Sequence, residues 1–117
     1  MAEKLDAIRD PAKLAQSIVA RGELWADANA AADLLEETKG TLLAKITKEY
    51  LDLPAWKAEA MAKGSNTYSE HIGAMVDARR LANLARVRYD GAKIMGELMR
   101  SAESTRRAEM GLGGRVT

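Results

Sequence analysis

Apolar residues recur every three or four positions along two long stretches of the chain, which is the spacing of an amphipathic helix. The first stretch covers 11–53 and the second covers 68–110, with a short helical stretch over 54–63 between them. No stretch alternates apolar and polar residues between turn signals, so no strand is predicted. The pattern predicts an all-α protein, either a long helical hairpin or a coiled-coil-like bundle with a short connecting helix.

Capping residues mark the ends of these helices. Asp10 followed by Pro11 is typical of a helix start, because the carboxylate caps free N–H groups and proline has no N–H to leave unpaired. Gly64 is expected to end the short helix in a left-handed conformation. Thr67 and Glu70 have the spacing of a capping box, which predicts the start of the second long helix.

The two long stretches have 43 residues each, and an unbroken helix of that length is ~65 Å long. A compact globule of this chain length has a radius of gyration of only ~13 Å. Either Gly22 and Gly40 break the first helix, or the molecule is a rod that covers its apolar surface with a partner. We expect one helical domain over 1–110, a flexible glycine-rich tail over 111–117, and more than about 70% helix, against ~30–35% in an average domain.

Residues seven apart in the second long helix predict a coiled-coil seam. One set of seam positions is Ala78, Ala85, Ala92 and Met99. The other set is Ala74, Leu81, Arg88, Met95 and Ala102, flanked by Met75, Ala82 and Tyr89. Repeated alanines imply close approach of another helix, so Ala85→Leu is expected to cost ~1–3 kcal/mol through overpacking. A related stripe in the first helix comprises Leu24, Ala28, Ala31, Leu35, Thr38, Leu42, Ile46, Tyr50 and Leu53.

The apolar face of the second helix is wider than one seam requires. Exposed apolar patches of that breadth are unusual in monomers, so we expect a homo-oligomer, most simply a dimer. A protein partner is expected for the same reason. The predicted interface residues are Leu81, Leu84, Ala85, Ala92, Met95, Leu98 and Met99.

Cations recur every seven residues along the same helix, at Arg79, Arg86, Lys93, Arg100 and Arg107. Asp90 and Glu97 alternate with them, which favours a solvated face stabilised by ion pairs, and Lys93→Ala is expected to cost well under ~1 kcal/mol. The alternative is a stripe that tracks phosphates, because nine basic residues and four acidic ones follow from Arg79 onward. The residues expected to contact nucleic acid or a partner are Arg79, Arg80, Arg86, Arg100, Arg106 and Arg107.

The composition excludes several kinds of chemistry. The chain has no cysteine, which excludes disulfide scaffolds and thiolate metal sites. His71 is the only histidine, and we interpret it as a packing residue because a catalytic triad requires a nucleophile and an acid beside the histidine. Asp33, Glu36 and Glu37 are interpreted as a solvated turn of helix. We therefore predict no catalytic, cofactor or metal site, and we expect that the protein is not an enzyme.

The two tryptophans and the overall hydropathy bear on partners. Trp25 and Trp56 are interpreted as core anchors, and the alternative is a tryptophan in a binding hot spot. A net charge of +1 excludes a uniformly basic nucleic-acid coat. No apolar run approaches the ~20 residues of a membrane span, and the charged N-terminus is unlike a secretory signal, so we expect a cytoplasmic protein without a membrane partner.

The stretch from Ala78 to Met110, ARRLANLARVRYDGAKIMGELMRSAESTRRAEM, resembles small uncharacterised helical accessory proteins of bacteriophages and prophages. Some of those proteins are encoded near genes for single-strand annealing recombination. The resemblance implies a phage-type accessory protein in the cytoplasm of a bacterial host, with a role in DNA metabolism. No functional residue is carried over from it.

Two functions follow as hypotheses. The leading one is a non-enzymatic helical interaction protein that oligomerises and binds another protein as an adaptor, assembly factor or inhibitor. The alternative is an accessory DNA-binding protein of phage-type recombination or replication, which uses the arginine-rich C-terminal helix. Because affinity for phosphates falls steeply with salt, a gel-shift titration at two salt concentrations discriminates between them.

Overall fold

The computed structural model describes residues 10–116, and 93% of these residues are helical. Three α-helices follow one another along the chain: α1 (Pro11–Thr47), α2 (Ala55–Lys63) and α3 (Asn66–Val116). A 3-10 helix, Lys48–Tyr50, follows α1 directly. No strand occurs within residues 10–116. The prediction of an all-α protein is therefore confirmed.

The start of α1 is capped as predicted. The Oδ1 atom of Asp10 accepts hydrogen bonds from the backbone N–H groups of Ala12 (3.0 Å) and Lys13 (3.3 Å). The helix then continues unbroken through Gly22 and Gly40. A glycine costs a helix only ~1 kcal/mol relative to alanine, and packing of the helix outweighs that cost. The alternative in which these glycines break the first helix is wrong.

The first helix ends before Leu53, where it was predicted to end. The α-helical pattern stops at Thr47, whose hydroxyl donates a 2.7 Å hydrogen bond to the carbonyl oxygen of Leu43. Such a bond competes with the backbone for the carbonyl. The 3-10 helix follows, and the N–H of Leu53 donates to the carbonyl oxygen of Tyr50 at 3.1 Å. Leu53 itself precedes Pro54, which disfavours the α conformation at that position.

The caps between α2 and α3 differ from their predictions. Gly64 ends α2 at φ −83°, so the expected left-handed conformation is wrong. The N–H of Gly64 donates to the carbonyl oxygen of Ala60 at 3.1 Å, and this bond is made in a right-handed backbone. Ser65 caps α3, because its Oγ accepts a hydrogen bond from the N–H of Tyr68 at 3.3 Å. The capping box predicted at Thr67 is wrong, since α3 begins one residue before it.

The far end of α3 lies at Val116, beyond the end predicted at Met110. The glycines of the predicted flexible tail have no positive φ within the described residues. They lower helix propensity, but they do not clash with a helical backbone. The helix therefore continues through them as far as residue 116. Residues 1–9 of the predicted domain lie outside the described residues.

The chain divides into two compact units. Unit 1 comprises Met1–Leu24 and Arg86–Thr117, and unit 2 comprises Trp25–Ala85. In each unit, a segment of α1 packs antiparallel to a segment of α3. In unit 2 the two segments are connected through the 3-10 helix and α2.

The most deeply buried residues among those described in unit 2 are alanines. Ala32 and Ala82 are buried, at 0% and 1% exposure. The inward positions of α3 in this unit, here called its inner seam, are Tyr68, His71, Met75, Ala78, Ala82 and Ala85. The facing positions of α1 include Trp25, Ala28, Ala32, Leu35, Leu42 and Ile46. Both helices thus bring small residues to the middle of the contact.

Glycines have the corresponding role in unit 1. A Cβ atom added at Gly22 would lie 3.2 Å from Cε1 of Tyr89, and one added at Gly96 would lie 3.3 Å from Cδ1 of Ile18. Among the described residues of this unit, Leu14 is the buried aliphatic side chain. The inner seam of α3 continues here as Tyr89, Ala92, Gly96 and Met99.

The predicted seam is correct in one half and rotated by one residue in the other. Ala78, Ala85, Ala92 and Met99 are all partly buried, as predicted. The predicted second set is wrong at four of its positions, since the side chains of Ala74, Leu81, Arg88 and Ala102 are exposed. The places of the first three are taken by Met75, Ala82 and Tyr89, and Gly96 is partly buried beside Met95. In α1, Leu24, Ala31 and Thr38 are likewise exposed, and Trp25 and Ala32 are directed inward. In the middle of the contact in unit 2, close approach of the helices favours Ala82 over the larger Leu81.

Candidate interaction surfaces

The histidine and the acidic side chains are the groups to consider for metal binding. Within residues 10–116, no group of three or more His, Cys, Asp or Glu side chains could hold a metal ion. The Nε2 atom of His71 lies 2.8 Å from the carbonyl oxygen of Leu35. Since a carbonyl only accepts, Nε2 carries the proton and donates it across unit 2. This contact agrees with the packing role predicted for His71.

Arg79 links the two long helices of unit 2. Its Nε and Nη2 atoms donate to the two carboxylate oxygens of Glu36 at 2.9 and 3.0 Å. Nη2 also donates to Oδ1 of Asp33 at 2.6 Å, and Nη1 donates to Oδ1 of Asn29 at 2.8 Å. We call these four residues the Arg79 cluster. Hydrogen bonds from one guanidinium to two carboxylates are strong and directional, because both partners are charged.

The Arg79 cluster bears on two predictions. Arg79 was predicted to contact nucleic acid or a partner, and in this structure its guanidinium binds acceptors within the chain. Asp33 and Glu36 were interpreted as a solvated turn; both are exposed, in agreement with that interpretation, and both also bind this arginine. The hydrogen bond from Arg79 is the main cause that holds the pKa of Glu36 below its ordinary value of 4.5. Hydrogen bonds to Glu36 and then Asp33 raise the pKa of Arg79. Glu36 and Arg79 therefore both stay charged at neutral pH.

The remaining predicted contact arginines are exposed, and some form loose ion pairs along α3. Arg86 lies 3.7 Å from Asp90, and Arg107 lies 3.9 Å from Glu103. These long distances and exposed positions are typical of ion pairs that stabilise little. The exposed arginines that make no ion pair or hydrogen bond within the described residues are Arg80, Arg88, Arg100 and Arg106.

The cations that recur every seven residues along α3 lie beside the inner seam at Arg79 and Lys93. Arg79 reaches α1 in unit 2. In unit 1, Nζ of Lys93 lies 4.5 Å from the ring centroid of the seam residue Tyr89 and 3.5 Å from Oδ1 of Asp90. The predicted ion-pair ladder is thus present in part, but its cations border the packed helices.

A second apolar stripe lies on the exposed side of α3 in unit 1. Val87, Ile94 and Leu98 are 67%, 56% and 60% exposed. Together with Gly91 they recur at intervals of four, three and four residues, which is the spacing of a coiled-coil seam. A Cβ atom at Gly91 would meet nothing within 4 Å. We call these four residues the outer seam.

The predicted interface residues are divided between exposed and inward positions. Leu98 belongs to the outer seam, and Leu81 and Leu84 are exposed in unit 2. The other four, Ala85, Ala92, Met95 and Met99, are partly buried in their own units. Sequence reasoning missed Val87 and Ile94, although their spacing relative to Leu98 was a usable signal.

The connecting segment of unit 2 exposes two large apolar side chains. Trp56 is 73% exposed on α2, and Leu51, just after the 3-10 helix, is 84% exposed. The buried side of α2 consists of Ala58 and Ala62, which leaves the indole on the outer side of the helix. The core-anchor interpretation therefore holds for Trp25, which is partly buried, and is wrong for Trp56.

Unit 1 contains an apolar groove with a cavity volume of about 210 Å³. Its walls include Leu14, Ile18 and Met99, and Gly96 contributes no side chain. The exposed side chains of Arg100 and Glu103 line the same groove and supply its polar groups. We call it the Gly96 groove.

None of the helices within residues 10–116 combines the length and the apolar character of a membrane span. Comparison of the chain with protein-family models, with curated proteins and with solved structures finds no match. The resemblance to phage accessory proteins therefore stays a prediction.

Proposed function

We propose that the protein is a non-enzymatic helical interaction protein that self-associates and binds another protein, as an adaptor, an assembly factor or an inhibitor. The outer seam is the observation that supports this proposal best. It presents three large aliphatic side chains in coiled-coil spacing on a helix whose other side is already packed. The resemblance of residues 78–110 adds a phage-type setting to the proposal.

The physical argument rests on what a second helix would gain at the outer seam. Burial of one Val, Leu or Ile side chain contributes ~1.5–3 kcal/mol, and two copies double the number of side chains that are buried. Gly91 has open space around its Cα, so a partner helix can approach closely at that level. A contiguous apolar stripe of this kind on a small protein typically marks an interaction site.

The test is the mass of the full chain by sedimentation velocity over a wide concentration range. We expect the wild type to exceed the 12.7 kDa of one chain. Ile94→Lys places a charge in the outer seam and is expected to remove the association that this seam provides, so that the measured mass falls below that of the wild type. Val19→Lys is the matched control, because Val19 is an exposed β-branched residue of unit 1 on α1, at 60% exposure. A wild type that stays monomeric, or an Ile94→Lys variant that associates normally, contradicts the proposal.

DNA binding is the second candidate, supported by the exposed arginines of α3 that lack ion pairs within the described residues. A gel-shift titration at two salt concentrations tests it, with Arg100→Ala and Arg106→Ala as the variants. If phosphates are bound, affinity falls steeply with salt, and each variant lowers the salt slope by ~1. Binding that is absent at low salt contradicts this candidate.

A further inference from the structure

We propose that the Trp56 side chain of one copy inserts into the Gly96 groove of a second copy, so that copies of the protein join head to tail. The contact uses two different surfaces, one in each unit. It goes beyond self-association through the outer seam, because it involves none of that seam's residues.

Trp56 has the properties of the inserted group. Its indole is 73% exposed, although α2 buries small residues on its other side. Tryptophan is among the residues most enriched in binding hot spots, where it fills a pocket on the partner and loses contact with water. An outward tryptophan with no such contact in its own unit is therefore suited to a pocket on another molecule.

The Gly96 groove has the properties of the receiving site. Its cavity of about 210 Å³ is smaller than the ~300–1,000 Å³ of a typical small-molecule pocket, and it suits a single aromatic side chain. Its walls are aliphatic, and Arg100 and Glu103 supply polar groups beside them. An indole has one N–H donor and a π face, so Glu103 offers an acceptor and Arg100 a cation for the ring.

The charges of the two units favour contact between unlike units. Unit 1 carries eleven Lys or Arg and eight Asp or Glu, whereas unit 2 carries seven and nine. Unit 2 of one copy, which holds Trp56, is thus attracted to unit 1 of another, which holds the groove.

Each copy in such a contact keeps one unused Trp56 or one unused groove. A heterologous contact of this kind builds a ring where the rotation closes and an open chain where it does not. A symmetric contact through the outer seam instead ends at a dimer. Association beyond two copies is therefore expected in the wild type.

Two variants remove the two halves of the contact separately. Trp56→Ala removes the inserted ring, and Ala15→Trp fills the groove from an exposed position that lines it. The matched controls are Leu34→Ala, at an exposed residue of unit 2, and Ala30→Trp, at an exposed residue of α1 that does not line the groove. All of them carry Ile94→Lys in addition, so that the outer seam does not contribute.

Sedimentation velocity is measured for each variant alone and for an equimolar mixture of the two main variants, with helix content checked by circular dichroism. Relative to the Ile94→Lys protein, truncation of a tryptophan hot spot is expected to weaken association roughly tenfold or more, and filling of the groove should do the same. The controls are expected to associate as the Ile94→Lys protein does. The mixture is expected to form a species of two chains, because one variant keeps the groove and the other keeps Trp56.

Restored association in the mixture supports the head-to-tail contact. The proposal is overturned if either main variant associates normally, or if the mixture stays monomeric. Failure of the outer seam would be seen separately, as an Ile94→Lys protein that retains the full mass of the wild type while Trp56 and the groove are intact.

Discussion

The two units hold segments of the same two helices together by different means. In unit 2, alanines face each other and the Arg79 cluster adds hydrogen bonds across the seam. In unit 1, glycines allow larger side chains to come close, Gly22 for Tyr89 and Gly96 for Ile18. The ion pairs among the described residues of unit 1 all join residues within α3.

This difference shows that the distance between two paired helices and their lengthwise register are set by different residues. Small residues set how closely the helices approach, and they resist any added volume because interiors are already densely packed. A bidentate guanidinium also selects the lengthwise register, since its acceptors meet it at one offset only. Both units should therefore be sensitive to side-chain volume, but only unit 2 should respond to protonation of a carboxylate across its seam.

The largest effect is expected from added volume in unit 2. Ala82→Leu inserts three heavy atoms at a position of 1% exposure, and overpacking of that kind costs ~1–3 kcal/mol. Urea unfolding followed by circular dichroism gives the free energy of unfolding.

Leu81→Ala is the control for that experiment, because Leu81 is the neighbouring residue and is 55% exposed. It should change the free energy of unfolding by less than ~0.5 kcal/mol, as surface substitutions do. Ala85→Leu, at a partly buried seam position, is expected to fall between the two. If Leu81→Ala lowered the free energy of unfolding strongly and Ala82→Leu did not change it, Leu81 would be the inward residue, as first predicted from the sequence.

The second-largest effect is expected from added side-chain volume in unit 1. Gly22→Leu places a Cβ atom 3.2 Å from the Tyr89 ring, so we expect a net loss of ~1–2 kcal/mol once the gain in helix propensity is subtracted. Gly40→Leu is the matched change, because a Cβ there meets nothing within 4 Å, and it should stabilise by up to ~1 kcal/mol. Thermal melts of the two variants should shift in opposite directions. Shifts of the same sign would mean that the close contact between Gly22 and Tyr89 does not limit side-chain volume at that position.

A smaller effect is expected from the Arg79 cluster, and it depends on pH. The folded-state pKa of Glu36 is lowered, chiefly by the hydrogen bond from Arg79. The resulting stability is present above the ordinary pKa of 4.5 and is lost as the pH falls through the lowered folded value. Arg79→Met removes this contribution, so its stability should fall less steeply in acid than that of the wild type.

Arg80→Met supplies the comparison, because Arg80 is exposed and makes no ion pair within the described residues. Melts from pH 7 to pH 3 should give this variant the acid profile of the wild type. Parallel profiles for Arg79→Met and the wild type would show that the cluster does not couple folding to protonation.

The smallest effect is expected at Lys93. Its ammonium lies 4.5 Å from the ring centroid of Tyr89 and 3.5 Å from Asp90, on a side chain that is 47% exposed. Exposed ion pairs and cation–π contacts each contribute less than ~1 kcal/mol. Lys93→Ala should therefore shift the melting temperature by only a few degrees, and a shift as large as that of Gly22→Leu would contradict it.

The helices were predictable from local sequence signals. Which residues of α3 face inward depends instead on the distance between α1 and α3. The cap at Asp10 and the seven-residue spacing of Ala78, Ala85 and Ala92 are visible in the sequence alone. The choice between Leu81 and Ala82 is not visible, because apolar residues occur on several sides of α3. It depends on how closely α1 approaches, and close approach favours the smaller side chain.

The surfaces were predictable to different degrees. The outer seam was predictable from the sequence, because Val87, Ile94 and Leu98 have the spacing of a second apolar stripe on the same helix. The Arg79 cluster was hidden, because Glu36 lies 43 residues away in sequence and meets Arg79 only in the register of the folded unit. The exposure of Trp56 likewise depends on which side of α2 packs inward.

The two seams of α3 also limit how this helix can evolve. From Val87 to Met99, inner and outer positions interleave, so most substitutions affect either the packing of unit 1 or its exposed apolar stripe. An inserted residue would rotate everything after it by about 100° and would move residues of one seam toward the other. Neutral drift is thus expected at the charged positions between the seams, and length changes within this segment should be strongly selected against.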